Sequence, residues 1–187
     1  MYKRLFDVEA KLDEGMFLFG ARQTGKSTLL KERFKGKIYY DLLNPELRKF
    51  FKRNPNALKE ALQDKPAGTL VIIDEIQKVP ELLDIVHSLM VDNGLWFILS
   101  GSSARKLKKS GANTLGGRAI PETLYPLVWP EVTDFQLDRA VQNGMIPRHY
   151  MVPDATKRLK GYVEVYLSEE IREEGEVREL EAFERFM

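Results

Sequence analysis

The sequence predicts an α/β fold in which helices sandwich a parallel sheet organised around a phosphate-binding loop. Three observations predict it. Gly20, Ala21, Arg22, Gln23, Thr24, Gly25, Lys26 and Ser27 spell G-x-x-x-x-G-K-[ST] directly behind the apolar run Met16, Phe17, Leu18 and Phe19. Leu70, Val71, Ile72 and Ile73 are consecutive apolar residues, mostly β-branched, that run into Asp74 and Glu75. Apolar runs alternate with helical patterns between them and beyond, as in parallel sheets covered by helices.

The loop motif is specific because each fixed position has a physical task. Gly20 and Gly25 let the backbone turn where a Cβ would clash, so that successive N–H groups can face phosphate oxygens. Lys26 supplies a positive charge for the β- and γ-phosphates, and the Ser27 hydroxyl suits Mg2+. The following helix, with Leu29, Leu30 and Phe34 at helical spacing, offers its positive N-terminus to the same anion. At ordinary residue frequencies a chance match anywhere in the chain falls below about 1%, so the motif carries weight by itself.

Residues 1–15 read as a short helical lead-in with Leu5, Val8 and Leu12 as its stripe. Gly36 ends the first helix, and residues 37–41 read as a second strand. Asn44 before Pro45 is an N-cap followed by a first-turn proline, and Asn54 before Pro55 repeats the signal. Residues 69–75 form a strand buried on both faces. Pro80 opens a helix with Leu82, Leu83, Val86, Leu89 and Met90 on one side and His87 at its surface; Asn93 and Gly94 close it. Residues 95–100 are another buried strand, and Arg118 leads into a last one. Pro126, Pro130, Gly144 and Pro147 punctuate a helical stretch expected over residues 131–142. From Thr156 an amphipathic stripe of Leu159, Tyr162, Val163, Tyr166, Leu167 and Ile171 begins. Gly175 interrupts it, and Val177, Leu180, Phe183 and Met187 start another.

Composition narrows the class. The chain has 187 residues, 43% hydrophobic and 30% charged, which suits a globular protein. A net charge of +1 gives no global field toward nucleic acid or membrane. The basic cluster at residues 105–109 reads as a solvated helix face, so a nucleic-acid partner is not favoured. With no cysteine, disulfides and thiolate metal sites are excluded, in keeping with a cytoplasmic protein. His87 and His149 are too far apart in sequence to suggest a zinc site. No apolar stretch approaches the ~20 residues that span a bilayer.

Asp74 and Glu75 supply the complementary chemistry. A carboxylate closing an apolar strand behind a phosphate loop can hold Mg2+, usually through water. A second carboxylate beside it can orient or deprotonate the attacking water. Together they describe an ATPase site of the catalytic-glutamate class, with an extra strand between the two motifs. Ser100, ending the next strand, either contacts the γ-phosphate or the attacking water, or simply terminates the strand; Ser102 competes for the same role. Arg118, after Gly116 and Gly117, either supplies charge to a phosphate, in cis or from a neighbouring subunit, or is a surface arginine.

The stretches Gly-Ala-Arg-Gln-Thr-Gly-Lys-Ser-Thr-Leu-Leu at 20–30, Ile-Asp-Glu-Ile-Gln-Lys-Val-Pro-Glu-Leu at 73–82 and Leu-Ser-Gly-Ser-Ser-Ala-Arg-Lys-Leu at 99–107 resemble the AAA-like P-loop ATPases of bacteria and archaea that carry a C-terminal domain of unknown function. Leu-Gly-Gly-Arg-Ala at 115–119, Leu-Tyr-Pro-Leu at 124–127, Gly-Met-Ile-Pro at 144–147 and Tyr-Val-Glu-Val-Tyr-Leu-Ser-Glu-Glu-Ile at 162–171 fit too. The resemblance implies ATP and Mg2+ as cofactors, held by residues 20–28, which include Thr28. It implies that Lys26 and Ser27 bind nucleotide and metal, that Asp74 and Glu75 form the second motif, and that Ser100 and Arg118 are polar sensors. It divides the chain into an ATPase domain, 1–150, and a helical, truncated start of a C-terminal domain, 151–187.

The expected function is Mg-dependent ATP hydrolysis driving a conformational switch. The alternative is a nucleotide-binding regulatory or interaction module with negligible turnover; Glu75 favours hydrolysis. A small-molecule kinase lacks its basic lid, and a GTPase its Asn-Lys-x-Asp segment. Apolar stripes beyond Thr156 lead to a further expectation, that Tyr162, Tyr166, Leu167 and Ile171 meet another copy or a missing domain.

Overall fold

The computed structural model describes residues 2–9, 14–102 and 115–166. Five strands, β1 (Gly15–Phe19), β2 (Ile38–Asp41), β3 (Leu70–Asp74), β4 (Trp96–Ser100) and β5 (Ile120–Thr123), form one sheet in the order β2-β3-β4-β1-β5. Every neighbouring pair is parallel. The expected α/β fold is therefore present, and β4 lies between the strand that feeds the phosphate loop and the strand that ends in Asp74. Helices α1 (Lys26–Arg33), α2 (Pro45–Arg53), α3 (Ala57–Leu62) and α4 (Leu82–Asn93) connect the first four strands.

Period-two alternation explains why the sheet is covered on both sides. Met16, Leu18, Ile72 and Ile98 pack with Leu29 and Leu30 of α1 in one cluster. Their neighbours Phe17, Phe19, Val71, Ile73, Phe97 and Leu99 face the other way and join Leu58 and Leu62 of α3 and Leu82, Val86 and Leu89 of α4. Local chemistry sets the helix ends. The Asn44 side chain accepts from the N–H groups of Glu46 at 2.9 Å and Leu47 at 3.3 Å, capping α2 ahead of Pro45. Gly94, at φ 63°, closes α4 in the left-handed conformation.

Two expected helices are corrected. Residues 2–9 contain no helix. Burial alternates there residue by residue, with Arg4, Phe6 and Val8 turned inward and Leu5, Asp7 and Glu9 outward. Asp7 Oδ1 accepts from the Glu9 N–H at 3.2 Å, a local bond that competes with a helical turn. Leu5 is 63% exposed, so it does not join Val8 in a buried stripe; Leu12 lies outside the described residues. The stretch at 131–142 is also broken. A single 3-10 turn, Trp129–Glu131, is closed by Glu131 Oε2 on the Val128 N–H at 3.1 Å. Asp134, at φ 57°, then breaks the chain direction, and α5 runs only over Leu137–Asn143. His87 is half-buried rather than solvated. The basic residues 105–109 and the stretch from 167 onward lie outside the described residues.

By its contacts the chain divides into two compact units, Lys3–Tyr125 and a second beginning at Pro126. Besides α5, the second unit contains α6 (Pro147–Tyr150) and α7 (Thr156–Tyr166). Its small core joins Leu127, Val132 and Tyr150 with Phe135, Ala140 and Met145. Buried Asn143 ties the loop before α7, donating to the Val152 carbonyl at 2.7 Å and accepting from the Ala155 N–H at 3.1 Å. Tyr162 of α7 meets the His149 ring edge-on, 5.5 Å between centroids.

Candidate functional site

All five strands point the same way, so their carboxyl ends share one edge, where open α/β sheets place their ligands. The phosphate loop leaves β1 at this edge. Gly20 has φ 149°, and a Cβ there would stand 2.3 Å from the Leu124 carbonyl oxygen, so only glycine fits. Gln23 at φ 65° and Gly25 at φ 98° turn the chain into α1, whose first turn carries no acidic residue to neutralise its N-terminus. The buried Thr24 hydroxyl donates to the Ala21 carbonyl at 2.9 Å. Lys26 folds back across the loop, its Nζ donating to Gly20 O at 2.7 Å and Ala21 O at 3.1 Å. Ala21 and Arg22 are half-buried, and Gln23 and Thr28 are exposed.

Arg4 braces the loop from behind. Its guanidinium donates to Thr24 O at 2.7 Å and to Tyr125 O, just past β5, at 2.6 Å. Nothing local in the sequence signals this contact, which joins residues 20 and 121 positions apart.

Two strands away, the wholly buried Asp74 is held by two hydroxyls. Ser100, also fully buried, donates to Oδ1, and Tyr39 of β2 donates to Oδ2 at 2.7 Å. Such donors offset the cost of burying a carboxylate. Burial, followed by the Asp74 charge, pushes the Tyr39 hydroxyl far above its ordinary pKa, and a hydrogen bond from Ser27 opposes the shift. Over the Tyr39 ring lies the Lys31 ammonium, 5.1 Å from its centroid, itself paired with Asp41 at 3.1 Å.

Glu75 follows in the left-handed region, φ 62° and ψ 47°, and its N–H donates to Ser100 Oγ at 3.3 Å. Its carboxylate accepts from Gln77 Nε2 at 2.5 Å, and the same amide reaches Ser102 Oγ at 3.4 Å. Ser100 thus sits on Asp74, whereas Ser102 sits beside the Glu75–Gln77 pair. Gln77, like Arg4 and Tyr39, was not singled out by the sequence.

Arg118 is not brought to this edge. It precedes β5, exposed, where its carbonyl oxygen lies 2.9 Å from the Cβ position of Gly15, at the start of β1. With Gly20 five residues further on at about 3.3 Å per residue, its side chain cannot reach the loop within one chain. The in-cis role for Arg118 is corrected accordingly.

The donor set suits one metal class. Among the described residues no group of three or more His, Cys, Asp or Glu could form a protein cage. One buried carboxylate beside one serine hydroxyl fits Mg2+, which keeps several waters and takes phosphate oxygens for the rest.

A parallel sheet flanked by helices, with a glycine-rich phosphate loop leading from β1 into α1, is the architecture of the P-loop NTPase class. The family model described as AAA domain matches residues 13–133, and the chain belongs to that family. No curated protein matches the chain. Among the described residues, no helix is long and apolar enough to cross a membrane.

Proposed function

We propose that the protein binds Mg-ATP at the carboxyl edge of the sheet and hydrolyses it, using the cycle to drive a conformational switch. One observation carries this reading: the loop of residues 20–27 and the Asp74–Glu75 strand end share one edge, separated by the single strand β4. Loop N–H groups and Lys26, exchanging its carbonyl partners for phosphate oxygens, would bind the triphosphate. Ser27 and Asp74 would hold Mg2+, which when bound neutralises charge on the β- and γ-phosphates. Glu75 would take a proton from water as the water oxygen attacks the γ-phosphorus and the bond to the β-phosphate oxygen breaks, giving ADP and phosphate. Ser100 would fix the Asp74 carboxylate rather than touch the substrate. Arg118 remains available only to a neighbouring copy.

The second reading, a nucleotide-binding module with negligible turnover, is favoured by the Gln77 amide on the Glu75 carboxylate. The amide holds the carboxylate in a bond that an attacking water would have to displace. For the domains, we propose that the ATPase part extends to about residue 150 and that residues 151–187 begin a C-terminal domain. The unit starting at Pro126 would then hold the end of the first domain together with α7. ATP titration of wild type and Lys26→Ala tests the binding site. Wild type should bind and the variant should lose most of its affinity, whereas equal affinities would reject the assignment.

A further inference from the structure

We infer that Tyr39 is a built-in competitor for the metal: its hydroxyl occupies a carboxylate oxygen of Asp74, in the place of a metal-bound water, and must withdraw before Mg2+ can be held there. The inference rests on the proposed site and adds a control element within it. Mg2+ sheds its waters reluctantly, so a carboxylate commonly reaches it through a bound water that donates to the carboxylate oxygen. The Tyr39 O–H does this at present, donating to Asp74 Oδ2 at 2.7 Å. The phenol thus competes with a metal-bound water for the carboxylate proposed to hold the cation. The second carboxylate oxygen already accepts from Ser100 of β4.

Tyr39 is held in this place but not locked there. Its backbone is fixed by parallel pairing with Ile72, and its ring is only partly buried against the α1-side cluster. From α1, Lys31 lies over the ring and is paired with Asp41, two residues further along β2. β2 is an edge strand, and Tyr39 is half-buried. A phenol that swings outward by rotation of its side chain would give up its contacts with Asp74 and the Lys31 ammonium together. Metal entry would therefore disturb the Lys31–Asp41 pair and, through it, the relation of α1 to β2. Nucleotide alone, held by the loop and Lys26, would not require this.

The test measures ATP affinity by calorimetry on the full chain, in EDTA and across a MgCl2 titration, for wild type, Tyr39→Phe and Tyr39→Leu. Both variants remove the hydroxyl, and Phe keeps the ring, so one guards against poor folding of the other. Affinity in EDTA should stay within about twofold, while the half-saturating Mg2+ concentration should fall about tenfold, the scale of a hydrogen bond to a charged group. A half-saturating Mg2+ concentration that is unchanged or higher in the folded variant overturns the inference, since the hydroxyl would then be neutral or would assist the metal. Failure of the underlying site looks different: wild type would bind no ATP, or would bind it equally well after Lys26→Ala, and the inference would fall with it.

Discussion

The hydroxyl of Ser100 donates to Oδ1 of Asp74 across the β4–β3 boundary, and both side chains are fully buried. The bond makes the end of β4 part of the support for the carboxylate. Ser100→Ala should leave one buried carboxylate oxygen without its donor and cost about 1–3 kcal/mol of stability. Urea unfolding checks the value. ATP affinity in EDTA should not change, because the phosphate loop does not use this bond; a loss there would make Ser100 a direct nucleotide ligand.

Arg4 is expected to act as a positioning residue. Arg4→Ala removes two charge-assisted bonds to loop carbonyls, at 2.7 Å and 2.6 Å. We expect ATP affinity to fall about tenfold and stability by about 1.5–3 kcal/mol. Arg4→Lys, which can replace one bond but not the fork, should recover part of both. Calorimetry alongside thermal melts would show affinity and stability moving together. Loss of affinity with unchanged stability would mean that Arg4 touches the nucleotide.

Gln77 is expected to restrain Glu75. Its amide holds the carboxylate at 2.5 Å and turns it toward the 3-10 turn Ile76–Lys78. Gln77→Leu should raise the steady-state ATPase rate several-fold with ATP affinity unchanged. A fall in rate would instead make Gln77 part of the machinery that positions the base.

His149 predicts a pH response in the second unit. Burial first, and Arg158 second, hold it below its ordinary pKa, and its Nδ1 is buried without a partner. The unfolded chain therefore binds this proton more readily, with a pKa of about 6.5. Stability should be full above about pH 7 and decline as pH falls through about 6.5. Denaturant titrations at pH 7.5 and 5.5 should show the loss, and His149→Phe, which keeps a ring against Tyr162, should reduce it. An equal loss in the variant would assign the response elsewhere.

Much of this fold was legible because its signals are local and periodic. Leu70 to Ile73 could only be a strand covered on both faces, and the glycine spacing of the loop matches the φ values at Gly20 and Gly25. Asn44 capped α2 where its side chain said it would. The features that escaped depend on distance in sequence. Arg4 reaches Thr24 and Tyr125 through folding alone, and Tyr39 reads as an ordinary β-strand aromatic until β2 lies beside β3. Leu5, Val8 and Leu12 have helical spacing, yet the Asp7–Glu9 bond and the inward turn of Arg4, Phe6 and Val8 favour an extended chain. Arg118 follows two glycines, which suggested a phosphate contact, but a parallel β5 places its start at the far edge of the sheet.

The central claim is that the Asp74–Glu75 strand end completes a hydrolytic site with the loop around Lys26. Single-turnover ATP hydrolysis by wild type, Glu75→Gln and Asp74→Asn, with affinity measured on the same samples, tests it most directly. Glu75→Gln should keep its ATP affinity and lose about 100-fold or more in rate, while Asp74→Asn should weaken the Mg2+-dependent part of binding. Wild-type turnover that survives Glu75→Gln unchanged, or two variants that behave alike, would contradict the account.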